Sequence, residues 1–350
     1  MASFKVGLMG LGSGGRLVAE ALLASSWCEL IAVASRQSSR IEPFTESHPG
    51  IAAYNDFRSL IVSNPLDALF VAVPPFLRSK YLALAAERSL PVWMLTPAAR
   101  RLDEAVAILD RFESAGVPIV VSRAWGVEPV LQAEALSIEQ MGRFFLARGH
   151  VMLSLPEDMD WRGDSHRAGG GVLLYRGYSL IDTIVQALGM PTTVYAATAG
   201  VSRPAGRFPY DTEDTASVVC HFPNGGIGVV SACWSAGPRR AFLHLYGTQQ
   251  SIQIDESAVV VRDRTGETEI SRQSRPANPL LPQVEEFLSS LHVSPRRIQS
   301  TLRQHLFTMA VIQAAYLSAR TGQPESPATL LDVHHLKKAA DEDEDVEENE

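Results

Sequence analysis

Apolar residues in the first 122 positions fall into short unbroken runs, separated by stretches with helical spacing. Phe4–Met9 is the first run, and a glycine-rich turn leads from it into Arg16–Ala24, whose apolar positions recur at helical intervals. Leu30–Ala34 and Ala68–Val73 follow, then helical Ser79–Arg88, a run at Pro91–Leu95, helical Leu102–Ala115 ended by Gly116, and Val117–Ser122. Ala68–Val73 does not alternate with polar residues and is predicted to be buried on both faces, and strands alternating with helices predict a parallel sheet covered on both sides. Beyond residue 123 the pattern changes: a helix is predicted near Glu128–Gln140, a strand over Arg143–Leu153, and an irregular stretch leading to Gly169–Gly171 and a helix reaching Leu188. Strands then come in series at Thr193–Ala199, Ala216–Phe222, Ile227–Trp234, Ala241–Tyr246 and Ala258–Arg262, with Pro223-Asn224-Gly225-Gly226 as a hairpin turn. That succession predicts an α+β domain with an open, mainly antiparallel sheet, closed by helices at Leu281–Leu291 and Thr301–Thr321. The expected division is 1–122, 123–330 and a tail from 340.

Composition adds little to this picture, but charge changes it. The 350 residues are 46% hydrophobic and 20% charged, which suits about two globular domains. The formal net charge of −8 resides in the last ten residues, which hold eight carboxylates; the remainder has 31 acids and 31 bases. A neutral body argues against nucleic acid as a partner, and the acidic tail reads as a disordered, solvated extension. No apolar run approaches the roughly 18–20 residues of a membrane span, and Met1-Ala2-Ser3-Phe4-Lys5 has no leader pattern. Cys28, Cys220 and Cys233 are too few and too scattered for a disulfide framework or a zinc ribbon, so free thiols in a reducing, cytoplasmic setting are expected. His334-His335 has no third ligand nearby in sequence, and no metal site is expected.

The chemistry begins at the first turn. Gly10, Gly12 and Gly15 form G-x-G-x-x-G, with Ser13 and Gly14 between them, directly after a strand and at the start of a helix. In that context the glycines allow a tight turn and close backbone approach, and helix N–H groups face a pyrophosphate. NAD-binding chains place an acid about 20 residues beyond, where it bonds the ribose hydroxyls. Here the second strand ends in Ser35-Arg36, Arg40 follows, and no acid occurs until Glu42. Serine and arginine suit a 2′-phosphate, so NADP(H) is the expected dinucleotide, with NAD(H) the alternative.

The motifs in order are the glycine fingerprint, Tyr54-Asn55-Asp56-Phe57, Val73-Pro74-Pro75, Asp160-Trp161-Arg162, Gly169-Gly170-Gly171-Val172-Leu173-Leu174, Ile181-Asp182, Tyr246-Gly247-Thr248 and Ala319-Arg320-Thr321-Gly322. From about residue 3 to 325 the chain resembles the Gfo/Idh/MocA family of NAD(P)-dependent oxidoreductases, which act on sugars, inositols and related compounds. The resemblance implies an N-terminal Rossmann domain and a C-terminal α/β domain whose open sheet forms a homo-oligomer interface. It adds Val73, Pro74, Pro75, Thr96 and Pro97 to the cofactor contacts and Trp161, Arg162 and Ser179 to the substrate side, where His166, in the stretch before the glycine run, is a further candidate.

The chain departs from the family at three positions. Thr96 stands where the family's Glu-Lys-Pro motif has its catalytic Lys, Tyr175 at the first Asp of the second motif, and Ser179 at its His, while Asp182 keeps the last Asp. Unactivated alcohols do not titrate near neutrality, so Thr96 and Ser179 cannot act as bases. Tyr175, and Tyr178 three residues on, are the remaining candidates for proton donation, which suits reduction better than alcohol oxidation. Arg162 suits a carboxylate or phosphate as well as a structural salt bridge; His166 is either a relocated acid–base group or a solvated loop residue. Arg78 occupies a position where many relatives have His. Two functional readings follow: a reductase of a small carbonyl or imine-type substrate with a non-standard site, or a non-catalytic nucleotide-binding scaffold, sensor or partner of an active relative.

Overall fold

The computed structural model describes residues 3–123, 141–154, 159–200, 210–255, 258–266, 268–271, 278–293 and 300–332. The helix expected near Glu128–Gln140, His334-His335 and the acidic tail lie outside these residues. The chain forms two compact units, one of residues 1–100, 104–125 and 274–305, the other of 101–103, 126–273 and 306–350.

The first unit is a six-stranded parallel sheet in the order β3-β2-β1-β4-β5-β6, built from β1 (Phe4–Met9), β2 (Cys28–Ala34), β3 (Ala52–Tyr54), β4 (Ala68–Val71), β5 (Val92–Met94) and β6 (Ile119–Val121). Between them run α1 (Ser13–Ala24), α2 (Ser38–Ser47), α3 (Phe57–Ser63), α4 (Ser79–Glu87) and α5 (Leu102–Ser114). This is the expected Rossmann arrangement. The pattern of apolar positions did not show β3, α2 or α3: β3 has three residues, α2 buries none of its side chains, and α3 has only seven residues, of which Phe57, Leu60 and Ile61 are buried. Asp56 starts α3, its carboxylate accepting the Ser59 N–H at 2.9 Å.

A helix from late in the sequence completes this unit. In α8 (Leu281–Val293), Val284, Phe287 and Leu288 recur on one face and join Val6, Leu8, Leu22, Phe70 and Trp93 in one apolar cluster. The Phe287 ring meets Phe70 edge-on at 5.8 Å, Glu286 pairs with Arg123, and the Asn278 amide donates to the Leu17 carbonyl at 2.7 Å. The expected boundary near 122 therefore closes only part of this unit, because a linear division cannot show that residues 274–305 return to it.

The second unit centres on an eight-stranded sheet ordered β14-β13-β12-β11-β7-β10-β9-β8. Its strands are β7 (Phe144–Ser154), β8 (Thr193–Ala199), β9 (Thr215–His221), β10 (Ile227–Cys233), β11 (Ser235–Gly247), β12 (Gln250–Asp255), β13 (Val259–Asp263) and β14 (Thr268–Ser271). The sheet is mixed: β7 pairs parallel with β10, and the other pairings are antiparallel. A short helix α6 (Ser165–Ala168), a π-helical turn Leu173–Gly177 and α7 (Tyr178–Leu188) follow β7. The longer helix packs so closely on the sheet that a Cβ at Gly149 would lie 3.2 Å from Leu180. Helix α9 (Leu302–Thr321) is tied to β8 by the Ala196 N–H donating to Ser318 Oγ at 3.1 Å, and α10 (Pro327–Asp332) follows.

Cys28, Cys220 and Cys233 are free thiols, and burial pushes Cys28 up to about 11 and Cys220 up to about 12. Among the described residues, no helix is long and apolar enough to cross a membrane.

Candidate active site

In the first unit the glycine turn fits a pyrophosphate. Gly10 has φ +109°, and a Cβ there would lie 2.7 Å from the Ala72 carbonyl; one at Gly15 would lie 2.0 Å from the Gly10 carbonyl. The backbone is thus folded on itself too tightly for any side chain. Gly12 caps α1 and has no side chain to satisfy the first-turn N–H groups, so these remain for an anion. Ser13 is exposed at the helix start, and Gly14 faces Leu95 across the turn. The Gly10 N–H donates to the Ala34 carbonyl at 2.8 Å, which joins the fingerprint to the end of β2.

Three polar residues follow at that end. Ser35 is 4% exposed and its Oγ accepts the Gln37 N–H, whereas Arg36 is exposed. Arg40, from α2, reaches back so far that a Cβ on Gly12 would sit 3.2 Å from its Nη1. Its guanidinium and the glycine turn therefore border the same space.

The loops after β4 and β5 are held by one side chain. Arg78, 3% exposed, donates from Nε to the Val73 carbonyl at 2.9 Å and from Nη1 to the carbonyls of Leu95 at 2.8 Å and Pro97 at 2.7 Å. Pro74 precedes the single 3₁₀ turn Pro75–Leu77, and the Thr96 N–H donates to Ser122 Oγ at 2.9 Å. Arg78 thus gathers Val73, Pro74, Pro75, Thr96 and Pro97 into one rim. These residues and the glycine turn are the groups that can hold a nicotinamide dinucleotide.

The second unit gathers a different set. Tyr175 lies in the π-turn Leu173–Gly177 and its hydroxyl donates to the Ala168 carbonyl at 2.7 Å. Its ring stands edge-on to Trp161 at 5.4 Å, and the Arg162 guanidinium lies over the Trp161 ring at 4.6 Å. Burial lowers the pKa of Arg162 from its ordinary value, opposed by Tyr175 and Asp160. Tyr178 is 1% exposed and packed in the core, whereas Tyr175 is half-buried. The π-turn ends and α7 begins between the two tyrosines, so they do not lie on one continuous α-helix. His166 is exposed, with its backbone N–H donating to the Asp164 cap. Ser179 is half-buried, and its carbonyl accepts from Thr183 Oγ1. Asp182, 3% exposed, accepts from Thr308 Oγ1 at 2.7 Å and from the Gln186 amide at 2.9 Å, which ties α7 to α9.

Comparison with family models decides the lineage. Residues 4–123 match the model of the oxidoreductase family with an NAD-binding Rossmann fold, and residues 133–253 match the GFO/IDH/MocA C-terminal domain. The chain belongs to the Gfo/Idh/MocA oxidoreductase family. It is 30% identical over 225 residues to D-xylose 1-dehydrogenase (NADP(+)) 2 of Haloferax volcanii, covering 62% of this chain and 69% of that one. It is 24% identical over 345 residues to D-apiose dehydrogenase of Paraburkholderia graminis, covering 91% and 88%. In fold it is similar to levoglucosan dehydrogenase in complex with NADH and L-sorbose, with a TM-score of 0.83 at 20% identity over 93% of this chain and 99% of that one. The chain thus carries the NAD-binding Rossmann domain and the C-terminal domain of that oxidoreductase family.

Two residues of this Gfo/Idh/MocA site escaped the motif reading. Glu213 accepts hydrogen bonds from the Gly171 N–H at 2.7 Å, the Leu173 N–H at 3.0 Å and the Tyr316 hydroxyl at 2.8 Å. Its own carbonyl accepts the Val172 N–H, and a Cβ on Gly171 would lie 2.0 Å from that oxygen. The glycine run is therefore clamped by Glu213, directly before the turn that carries Tyr175. Burial raises the Glu213 carboxyl above its ordinary range, and raises the Tyr316 phenol with the help of Glu213. In sequence Glu213 sits in Asp211-Thr212-Glu213-Asp214, which has the appearance of a solvated turn.

Proposed function

We propose that this chain is an NADP(H)-dependent reductase of a small carbonyl or imine-type compound, with Tyr175 as the proton donor. The observation that carries the reading is the setting of Tyr175. Its hydroxyl is held at 2.7 Å from the Ala168 carbonyl and its ring abuts Trp161, under the Arg162 guanidinium. The position is occupied by an ordered phenol in a polar setting, which fits a rebuilt reaction centre better than a vacated one. The bound dinucleotide would supply hydride to the substrate carbon. Tyr175 would give its proton to the developing alkoxide or amine, and the Arg162 charge beside it would favour the phenolate left behind. The NADP(H) preference is supported by Ser35, Arg36 and Arg40 at the end of β2, where no carboxylate stands to repel a 2′-phosphate, and by the NADP(+) dependence of the xylose dehydrogenase relative.

The test is NADPH consumption, followed at 340 nm, across carbonyl and imine panels. Turnover is expected, and Tyr175→Phe should lower kcat by about 10²–10⁴-fold, the usual worth of a general acid, with little change in KM. Tight NADPH binding without turnover on any panel would instead favour the scaffold reading that Thr96 and Ser179 suggest.

A further inference from the structure

Arg162 and Arg176 come from adjacent turns, the 3₁₀ turn Asp160–Gly163 and the π-turn Leu173–Gly177. The aromatic contact between Trp161 and Tyr175 joins the two turns, with Arg162 stacked on the indole and Arg176 next to Tyr175 in the chain. Neither guanidinium has an ion pair or hydrogen bond with any described residue. Other arginines of the chain have carboxylates: Arg100 has Glu104, Arg123 has Glu286, and Arg303 has Glu113. Arg176 is exposed to solvent yet flanked by protein atoms that lower its pKa from its ordinary value, and the charges of Arg162 and Arg239 lower it further. Asp160 is the described carboxylate that acts on Arg162, from outside ion-pair range.

Gathering cations costs free energy, and folding stability alone would set an acid among them. At one such position, where the family resemblance places an Asp, the chain has Tyr175, next to Arg176. That difference makes the site more positive. Stacking on Trp161 fixes the plane of the Arg162 fork and leaves its N–H donors for a ligand. Such a fork matches two oxygens of a carboxylate or phosphate, whereas a neutral hydroxyl leaves most of the donors unmet.

We propose that the substrate carries an anionic group, a carboxylate or a phosphate, held by Arg162 and Arg176. This rests on the reading of the Tyr175 site as the substrate site.

The full-length protein, saturated with NADPH so that its nucleotide site is filled, is titrated calorimetrically with inorganic phosphate and, separately, with malonate. At least one anion should bind once per chain, and the tighter of the two identifies the group. Arg162→Gln and Arg176→Gln should each weaken it at least about tenfold, as expected for losing a charge-assisted hydrogen bond. Arg176→Lys, which keeps the charge, should retain most of the affinity, and circular dichroism reports whether each variant is folded. Among substrate pairs differing only in charge, such as an aldose and its uronate or a hydroxyketone and its phosphate, kcat/KM should favour the anion, and Arg176→Gln should level the pair. Absence of anion binding to the parent, or equal binding by both Gln variants, overturns the proposal. Anion binding that depends on the two arginines without any turnover upholds it and removes the reductase reading instead.

Discussion

Arg40 and Arg36 differ in how far the backbone commits them. Arg40 is drawn over the glycine turn, while Arg36 extends from the end of β2 into solvent, where only a ligand would hold it. Reversing the charge at position 36 therefore tests recognition with little disturbance to folding: Arg36→Asp should weaken NADPH binding at least about tenfold and leave NADH binding within about threefold, measured by fluorescence titration. Glu213 offers a different kind of test. Its folded-state pKa is raised by burial, so its contribution to stability is full below the ordinary glutamate range and is lost as pH rises through the folded value. Glu213→Gln places an amide N–H among three donors and should cost about 1–3 kcal/mol in urea unfolding. The gap from the parent should be widest in acid and narrow towards neutral pH. A gap that widens with pH would refute the assignment. At this scale the glycine fingerprint was legible because its spacing is dictated by backbone contact, down to the 2.0 Å a Cβ at Gly15 would leave. Glu213 and the burial of Tyr178 were not, since one depends on a carboxylate folding back over 40 residues and the other on a π-turn that no residue pattern announces.

Among elements, β1, with four consecutive buried residues, and β8, where burial alternates, coincide with their predicted ranges of Phe4–Met9 and Thr193–Ala199. Not every element was legible. Helix α2 contributes no buried side chain, and β12 has only Ile252 and Ile254 facing inward. The helix α8 was seen as a helix, but its destination was not, because an amphipathic stripe states that a face is buried without naming what buries it. Phe287 is the residue that commits it, lying edge-on to Phe70 of β4. Phe287→Ala should destabilise the first unit by about 3–5 kcal/mol in chemical denaturation, as large-to-small changes in a packed core do. A cost under about 1 kcal/mol would mean that α8 is peripheral.

For the molecule as a whole, the chain leaves the first unit after residue 125, builds a sheet of its own, and returns for residues 274–305 before leaving again. The change from strand–helix alternation to strands in series made the existence of two units legible, but not their interleaving. Nor was the parallel β7–β10 pair legible, since strands in series suggest hairpins and β10 reaches β7 past two strands that lie beyond it.

Arg78 has a consequence for the whole range of conditions in which the protein remains folded. It joins the Val73, Leu95 and Pro97 carbonyls at a position where the family resemblance of the sequence places His. A guanidinium stays protonated in proteins, whereas an imidazole changes charge near neutrality. With His, the rim of the nucleotide site would be tied to a proton equilibrium and would tighten or slacken with acidity. With Arg, its shape is insulated from the proton concentration, and any acid–base signature in turnover must originate in groups beyond that rim.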